Sequence, residues 1–135
     1  MFQVKRLSPD ATVPSKAKQG DGGWDLYTSK EVIAVKDAIT VINTDIALAI
    51  PLGYVGFVKE RSGLALRGVE IHGGVIDSGY RGEVKVIVKT HENITFPKGT
   101  KIAQLCIIKI YDGVLDLVEE LDSTERGAAG FGSSG

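Results

Sequence analysis

Apolar positions along this chain fall in short runs rich in β-branched residues: Phe2–Val4, Val32–Val35, Ile46–Ile50, Tyr54–Val58, Val84–Val88, Ile102–Ile110 and Val114–Val118. Between them stand residues that turn a chain: Pro51-Leu52-Gly53, Gly73-Gly74, Pro97-Lys98-Gly99 and Asp112-Gly113. No stretch sustains a helical period, and no internal repeat is visible. Many short strands at this spacing predict an all-β sandwich or barrel. One segment departs from the pattern. In "RSGLALRG" (61–68), Leu64, Ala65 and Leu66 favour helix, and Gly68 can end it.

The last ten residues, "RGAAGFGSSG", are four glycines, two alanines, two serines, Arg126 and Phe131. Such a segment cannot bury enough apolar surface to order itself. The expected organisation is therefore a β domain over 1–125 and a flexible, Gly-rich C-terminal arm over 126–135. A frayed terminus is the plain reading of the arm. Arg126 and Phe131 are odd residues for a spacer, however, and unobstructed glycine N–H groups can wrap a phosphate, which makes the arm a candidate lid.

Composition narrows the class. The 135 residues fit one domain with a real core. Lys plus Arg total 16 and Asp plus Glu 17, a net charge of −1. That balance argues against a nucleic-acid or membrane-surface partner. Cys106 is the only cysteine, so an intrachain disulfide is excluded and a reducing compartment is expected. No apolar run reaches the ~20 residues of a membrane span. "MFQVKRLSPD" has no apolar segment after its basic residues, unlike a secretory signal. The Asn93-Ile94-Thr95 sequon is then read as chance.

Four constellations could carry chemistry. "GGWDLYTS" (22–29) sets Asp25 after a Trp in a Gly-opened turn, by itself a buried Trp and a turn-capping acid. "RSGLA" (61–65) puts Arg61 and Ser62 at a helix start, either a plain N-cap or an anion site. "GGVIDSGYRGEVKVIV" (73–88) places Asp77 and Tyr80 on a turn; a solvated tip is the plain reading, but Val75 and Ile76 put Asp77 at the edge of the core. Gln104 interrupts the run "KIAQLCII". No metal cluster is visible: His72 and His91 are the only histidines, and one cysteine makes no zinc site. No Ser-His-Asp set can be argued, and "GSSG" lacks the Lys of a phosphate-binding P-loop.

Together, "GGWDL", "RSGLA", "GGVIDSGYRGE", "GTKIAQL" and "RGAAGFGSSG" resemble the five motifs of the trimeric dUTP diphosphatases (dUTPases), in the family's order and from residue 22 to 135. The third and fifth are long and specific. The resemblance implies a jelly-roll-like β-barrel or sandwich, assembled as a homotrimer with active sites between subunits. One chain would supply the first, second and fourth motifs, a neighbour the third, and the remaining chain the arm. It implies hydrolysis of dUTP to dUMP and pyrophosphate, which keeps uracil out of DNA and supplies dUMP for dTMP synthesis, in the cytoplasm or, for a viral protein, the host cell or nucleus.

By the same resemblance, Asp77 orients and deprotonates the attacking water. Tyr80 stacks on the deoxyribose and excludes a 2′-hydroxyl. Gly74, Val75 and Ile76 offer backbone to the uracil edge, with Lys85 nearby. Arg61, Ser62, Gly63 and Gln104 hold phosphates. Arg126 binds the terminal phosphate, Phe131 covers the uracil, and Gly132, Ser133 and Ser134 wrap the phosphates. Asp25 supports the metal–water shell or a phosphate-binding arginine. Mg2+ would be held by substrate phosphates and water, with no direct protein ligand. Aspartate is a weak base, so positioning and charge stabilisation must supply most of the acceleration. Cytosine offers the wrong donor–acceptor pattern to the turn, and thymine's methyl would clash.

Two positions depart from the family pattern. Trp24 replaces the usual Tyr or Phe. Many bacterial members carry a uracil-contacting Asn six residues before the catalytic Asp, where this chain has Ile71, so base recognition should rest on backbone and Ile71→Asn should change activity little. The rival of the same fold is dCTP deaminase, which uses a Glu and an Arg where Ile87 and Leu66 stand; neither does proton chemistry. A nucleotide-binding regulatory protein without turnover is the rival of another class.

Overall fold

The computed structural model describes residues 2–133. Ten strands and one short helix come in chain order: β1 Gln3–Arg6, β2 Trp24–Tyr27, β3 Val32–Ala34, β4 Ile39–Ala49, β5 Tyr54–Lys59, α1 Ser62–Leu66, β6 Glu70–His72, β7 Val75–Ile76, β8 Glu83–Lys89, β9 Ile94–Phe96 and β10 Lys101–Lys109. They make two four-stranded sheets, β1-β4-β8-β6 and β2-β10-β5-β7, and a two-stranded ribbon, β3-β9. Every pairing is antiparallel. The sheets stay open, so of the two expected architectures the sandwich is the one adopted.

The core follows from strand alternation. In β8, Val84, Val86 and Val88 point inward while Lys85 faces out. Leu26, Ile42, Ile46, Ile102 and Leu105 complete the fully buried centre. The helix ends as its sequence predicts. Gly68 adopts φ +80, and the N–H groups of Gly68 and Val69 donate to the carbonyls of Ala65 and Leu64, both in the pattern of a glycine-closed helix end.

The run Val114–Val118 is no strand. The last strand ends at Lys109, and among the described residues no strand pairs with the chain beyond it, so Leu115 and Leu117 are left 97% exposed. Asp25 is likewise not a turn cap: it lies in β2, paired with Gln104 of β10. Trp24, beside it, is edged by the Phe2 ring at 6.1 Å and capped by the Lys16 ammonium at 4.8 Å. Arg61, not Ser62, occupies the N-cap of α1, and no side chain caps that end.

Candidate active site

The motif residues gather in two places. Arg61, Ser62 and Gly63 at the start of α1 meet Gln104 of β10, Asp25 of β2 and the Gly22-Gly23 turn around an open pocket of about 410 Å³. Strand pairing explains the meeting. Gln104 stands opposite Asp25 on one side and Lys59 on the other, and Lys59 leads into Arg61. Asp25 is only 14% exposed and forms an ion pair with the Arg61 guanidinium at 3.1 Å, with the Lys101 ammonium 3.6 Å away. Asp25 thus contacts the arginine that one of its two expected roles calls for. Gln104 donates its amide to the Glu60 carbonyl at 2.8 Å. Gly23 lets Gln104 lie flat against the turn, since a Cβ there would sit 2.4 Å from the amide oxygen.

The second group forms around the hairpin-like turn after β7, which leads from one sheet back to the other, since β7 and β8 do not pair. Gly74, Val75, Ile76, Asp77, Tyr80 and Lys85 line a separate pocket of about 250 Å³ that shares no residue with the first. Gly73 and Gly74 adopt φ +65 and +93, a conformation open to glycine. A Cβ on Gly74 would also fall 2.7 Å from the Val58 carbonyl oxygen. These glycines let the chain turn sharply into β7, the edge strand of its sheet, so one side of its backbone has no strand partner. Asp77 is exposed rather than at the core edge; Ile76, immediately before it, carries the burial. A turn closes on Asp77, the Tyr80 N–H donating to its carbonyl at 3.1 Å. The Tyr80 hydroxyl donates to the Glu83 carbonyl at 2.8 Å, which fixes the ring.

Four residues here escape a reading of the sequence alone. Gly82 permits the Tyr80 ring to rest on the backbone, since a Cβ would approach the ring oxygen to 2.5 Å. Glu83 accepts the Asp45 N–H at 3.0 Å. Asp45 sits at φ +55 in a bulge where four steps along β4 answer two along β8 (Asn43↔Lys85 to Ala47↔Glu83). The Ser8 hydroxyl holds the Asp45 carboxyl below its ordinary range, against the cost of burial and with help from Ser29. Glu60 is the fourth. Its carboxylate accepts the Ile71 N–H at 2.8 Å, the main cause of a lowered pKa, and Ile71 itself packs against the core. The Gly-Tyr-Arg-Gly spacing gave a signal for Gly82; nothing in the residue pattern marked Glu60 or Asp45.

The arm lies apart from both pockets' linings. Arg126 donates to the Ala129 carbonyl at 2.9 Å, Ser133 N–H to Gly130, and Phe131 is fully exposed. Gly132 adopts φ +83. Ser134 lies outside the described residues.

A glycine-floored pocket around Arg61 and a separate acid–aromatic turn, on an antiparallel sandwich, divide the motif residues into two groups, the class of arrangement that suits a phosphate ester. The chain belongs to the dUTPase family, whose model matches residues 9–135. It is 44% identical over 141 residues to the deoxyuridine 5'-triphosphate nucleotidohydrolase of Syntrophotalea carbinolica, covering 99% of this chain and 96% of that one. The Debaryomyces hansenii enzyme of the same name is 42% identical over 139 residues, with 99% and 87% covered. A variant of the Staphylococcus bacteriophage 80alpha dUTPase, solved with dUpNHpp, superposes with a TM-score of 0.93 at 34% identity, over 100% of this chain and 98% of that one. A variant dUTPase from phage phi11 of S. aureus, which details the coordination of a structural Mg(II) ion, gives 0.84 at 29% identity, over 89% and 97%.

Proposed function

We propose that this chain hydrolyses dUTP to dUMP and pyrophosphate at sites assembled between the subunits of a homotrimer. The observation that carries this reading is the division of the family's motif residues between two pockets with no common lining. Each pocket suits half of a nucleotide. The Arg61 pocket offers a guanidinium held by Asp25, a hydroxyl and helix-start N–H groups for phosphates. The hairpin pocket offers a free strand edge for the uracil, a fixed ring for the sugar and a carboxylate for water. Bringing one chain's hairpin against another's Arg61 pocket completes the site, and a further chain's Arg126, Phe131, Gly132, Ser133 and Ser134 close it.

In the completed site the Asp77 carboxylate takes a proton from the water aimed at the α-phosphorus. Pyrophosphate leaves toward Arg61, Gln104 and Arg126, whose charges and dipoles meet the negative charge that develops. Two acids line the phosphate pocket: Asp25 is paired with Arg61 and Lys101, and Asp21 accepts the Lys18 N–H, which supports the cation as a companion of the substrate phosphates rather than a ligand of the chain. Bound there, Mg2+ would neutralise phosphate charge. Ile87, where the deaminase relatives carry their Glu, contributes an apolar wall to the hairpin pocket, and Leu66, at the other diagnostic position, is 90% exposed.

The test is pyrophosphate release from dUTP with Mg2+. Wild-type protein turns over, and Asp77→Asn falls by about 10²–10⁴-fold, the usual contribution of a positioned general base. Unchanged turnover in Asp77→Asn, or ammonia from dCTP, would refute the assignment.

A further inference from the structure

The chain changes sheets between β6 and β7. Ile71 lies in the edge strand of one sheet and Val75 in the edge strand of the other, with Gly73-Gly74 as the corner. Asp77 comes two residues after Val75, so the corner sets where the carboxylate points. The far end of β5 holds that corner from both sides. The Val58 N–H donates to the Gly74 carbonyl at 2.8 Å. Two residues on, the Glu60 carboxylate accepts the Ile71 N–H at 2.8 Å. The backbone carbonyl of the same residue accepts the Gln104 amide, also at 2.8 Å. Glu60 thus joins Gln104, which lines the phosphate pocket, to β6, the strand that leads into the corner. Its side chain is 27% exposed, and its other oxygen has the Lys59 ammonium at 3.6 Å. An edge-strand N–H needs no such partner, because water serves it. A charged acceptor is also the stronger choice for holding a donor at a fixed place.

We propose that Glu60 is a positioning residue for dUTP hydrolysis. Its carboxylate clamps the sheet-crossing corner and so aims the Asp77–Tyr80 hairpin, while its main-chain carbonyl separately fixes Gln104 among the phosphate ligands. The inference rests on the function proposed above. It separates two contacts that a single substitution can distinguish. Removing the side chain releases the hairpin and leaves the Gln104 contact in place.

The full-length variants Glu60→Ala and Glu60→Gln test this, with dUMP and pyrophosphate titrated as separate ligands and kcat and KM measured for dUTP. Glu60→Ala weakens dUMP by roughly tenfold, the size of one hydrogen bond to a charged acceptor, and lowers kcat. Pyrophosphate binding changes by less than about twofold, because its ligand Gln104 keeps a main-chain partner. Glu60→Gln, which retains an oxygen for the Ile71 N–H, recovers most of the loss. If Glu60→Ala fails to fold, Glu60→Asp shortens the reach, keeps the charge and carries the same comparison. Unchanged dUMP binding in Glu60→Ala, or equal losses of dUMP and pyrophosphate, would overturn the role of Glu60 while wild-type turnover left the enzyme assignment standing. Wild-type protein inert toward dUTP would instead remove the assignment itself.

Discussion

Two inactive versions of this chain should make an active enzyme together. Asp77→Asn disables the hairpin pocket and leaves the Arg61 pocket intact; Arg61→Ala does the reverse, and the two pockets share no lining residue. If each site joins the hairpin of one subunit to the phosphate pocket of the next, a mixed trimer contains some sites built only from intact halves. With equal amounts and free mixing, the hairpin donor is intact in half of the sites and the pocket donor, independently, in half. A trimer holding both variants then has one complete site in three, which is about a quarter of all sites once the unmixed trimers are counted, as a head-to-tail cyclic assembly requires. Both variants keep Arg126 and the arm, so the closing segment does not lower this figure. The two chains would be co-expressed with different tags, mixed trimers purified through both tags, and pyrophosphate release measured against each parent. A control sharpens the number. Wild type mixed with the double variant keeps about a quarter of its rate if sites cross subunits, but about half if each site belongs to one chain. Doubly tagged trimers no more active than the parents would refute the shared-site reasoning.

Other expectations come from single contacts. Gly74→Ala must accommodate φ +93 and a Cβ 2.7 Å from the Val58 carbonyl, so unfolding should cost about 2–3 kcal/mol less and turnover should drop, as denaturant titration and kinetics would show. Gly23→Ala pushes the Gln104 amide from its place, raising KM for dUTP with little change in melting temperature. Ile71→Asn removes packing from the core edge, so it lowers the melting temperature without tightening uracil binding; a gain in dUMP affinity would count against backbone recognition. Asp45 and Glu60 both hold depressed pKa values in the folded state, through Ser8 and the Ile71 N–H respectively. Their stabilisation is complete above about pH 5 and is lost as pH falls below about 4, and Asp45→Asn should flatten that acid limb in thermal unfolding.

The sequence carried the sandwich, and missed what depends on partners. β8 and β10 alternate over seven and nine residues, long enough for period two to register. β6, β7 and β9 have three residues or fewer, less than two periods, and β2 hides behind glycines. Val114–Val118 shows the converse: its residues suit a strand, but a strand exists only where another edge meets it. The motif residues were singled out because their order resembles a family's motifs, each being weak alone. Glu60 was not, because a carboxylate taking a backbone N–H from eleven residues away leaves no trace in the order of residue types. Asp45 is invisible for a similar reason, since its φ of +55 belongs to a bulge set by strand register.

The glycine corner joining β6 to β7 makes the angle between the two halves of the sandwich an input to catalysis. A substitution deep in the β4–β8 layer that shifts one sheet against the other would move the carboxylate through that corner. Turnover is therefore the more sensitive gauge of packing in this protein, and slow but well-folded variants should cluster along the seam between the sheets.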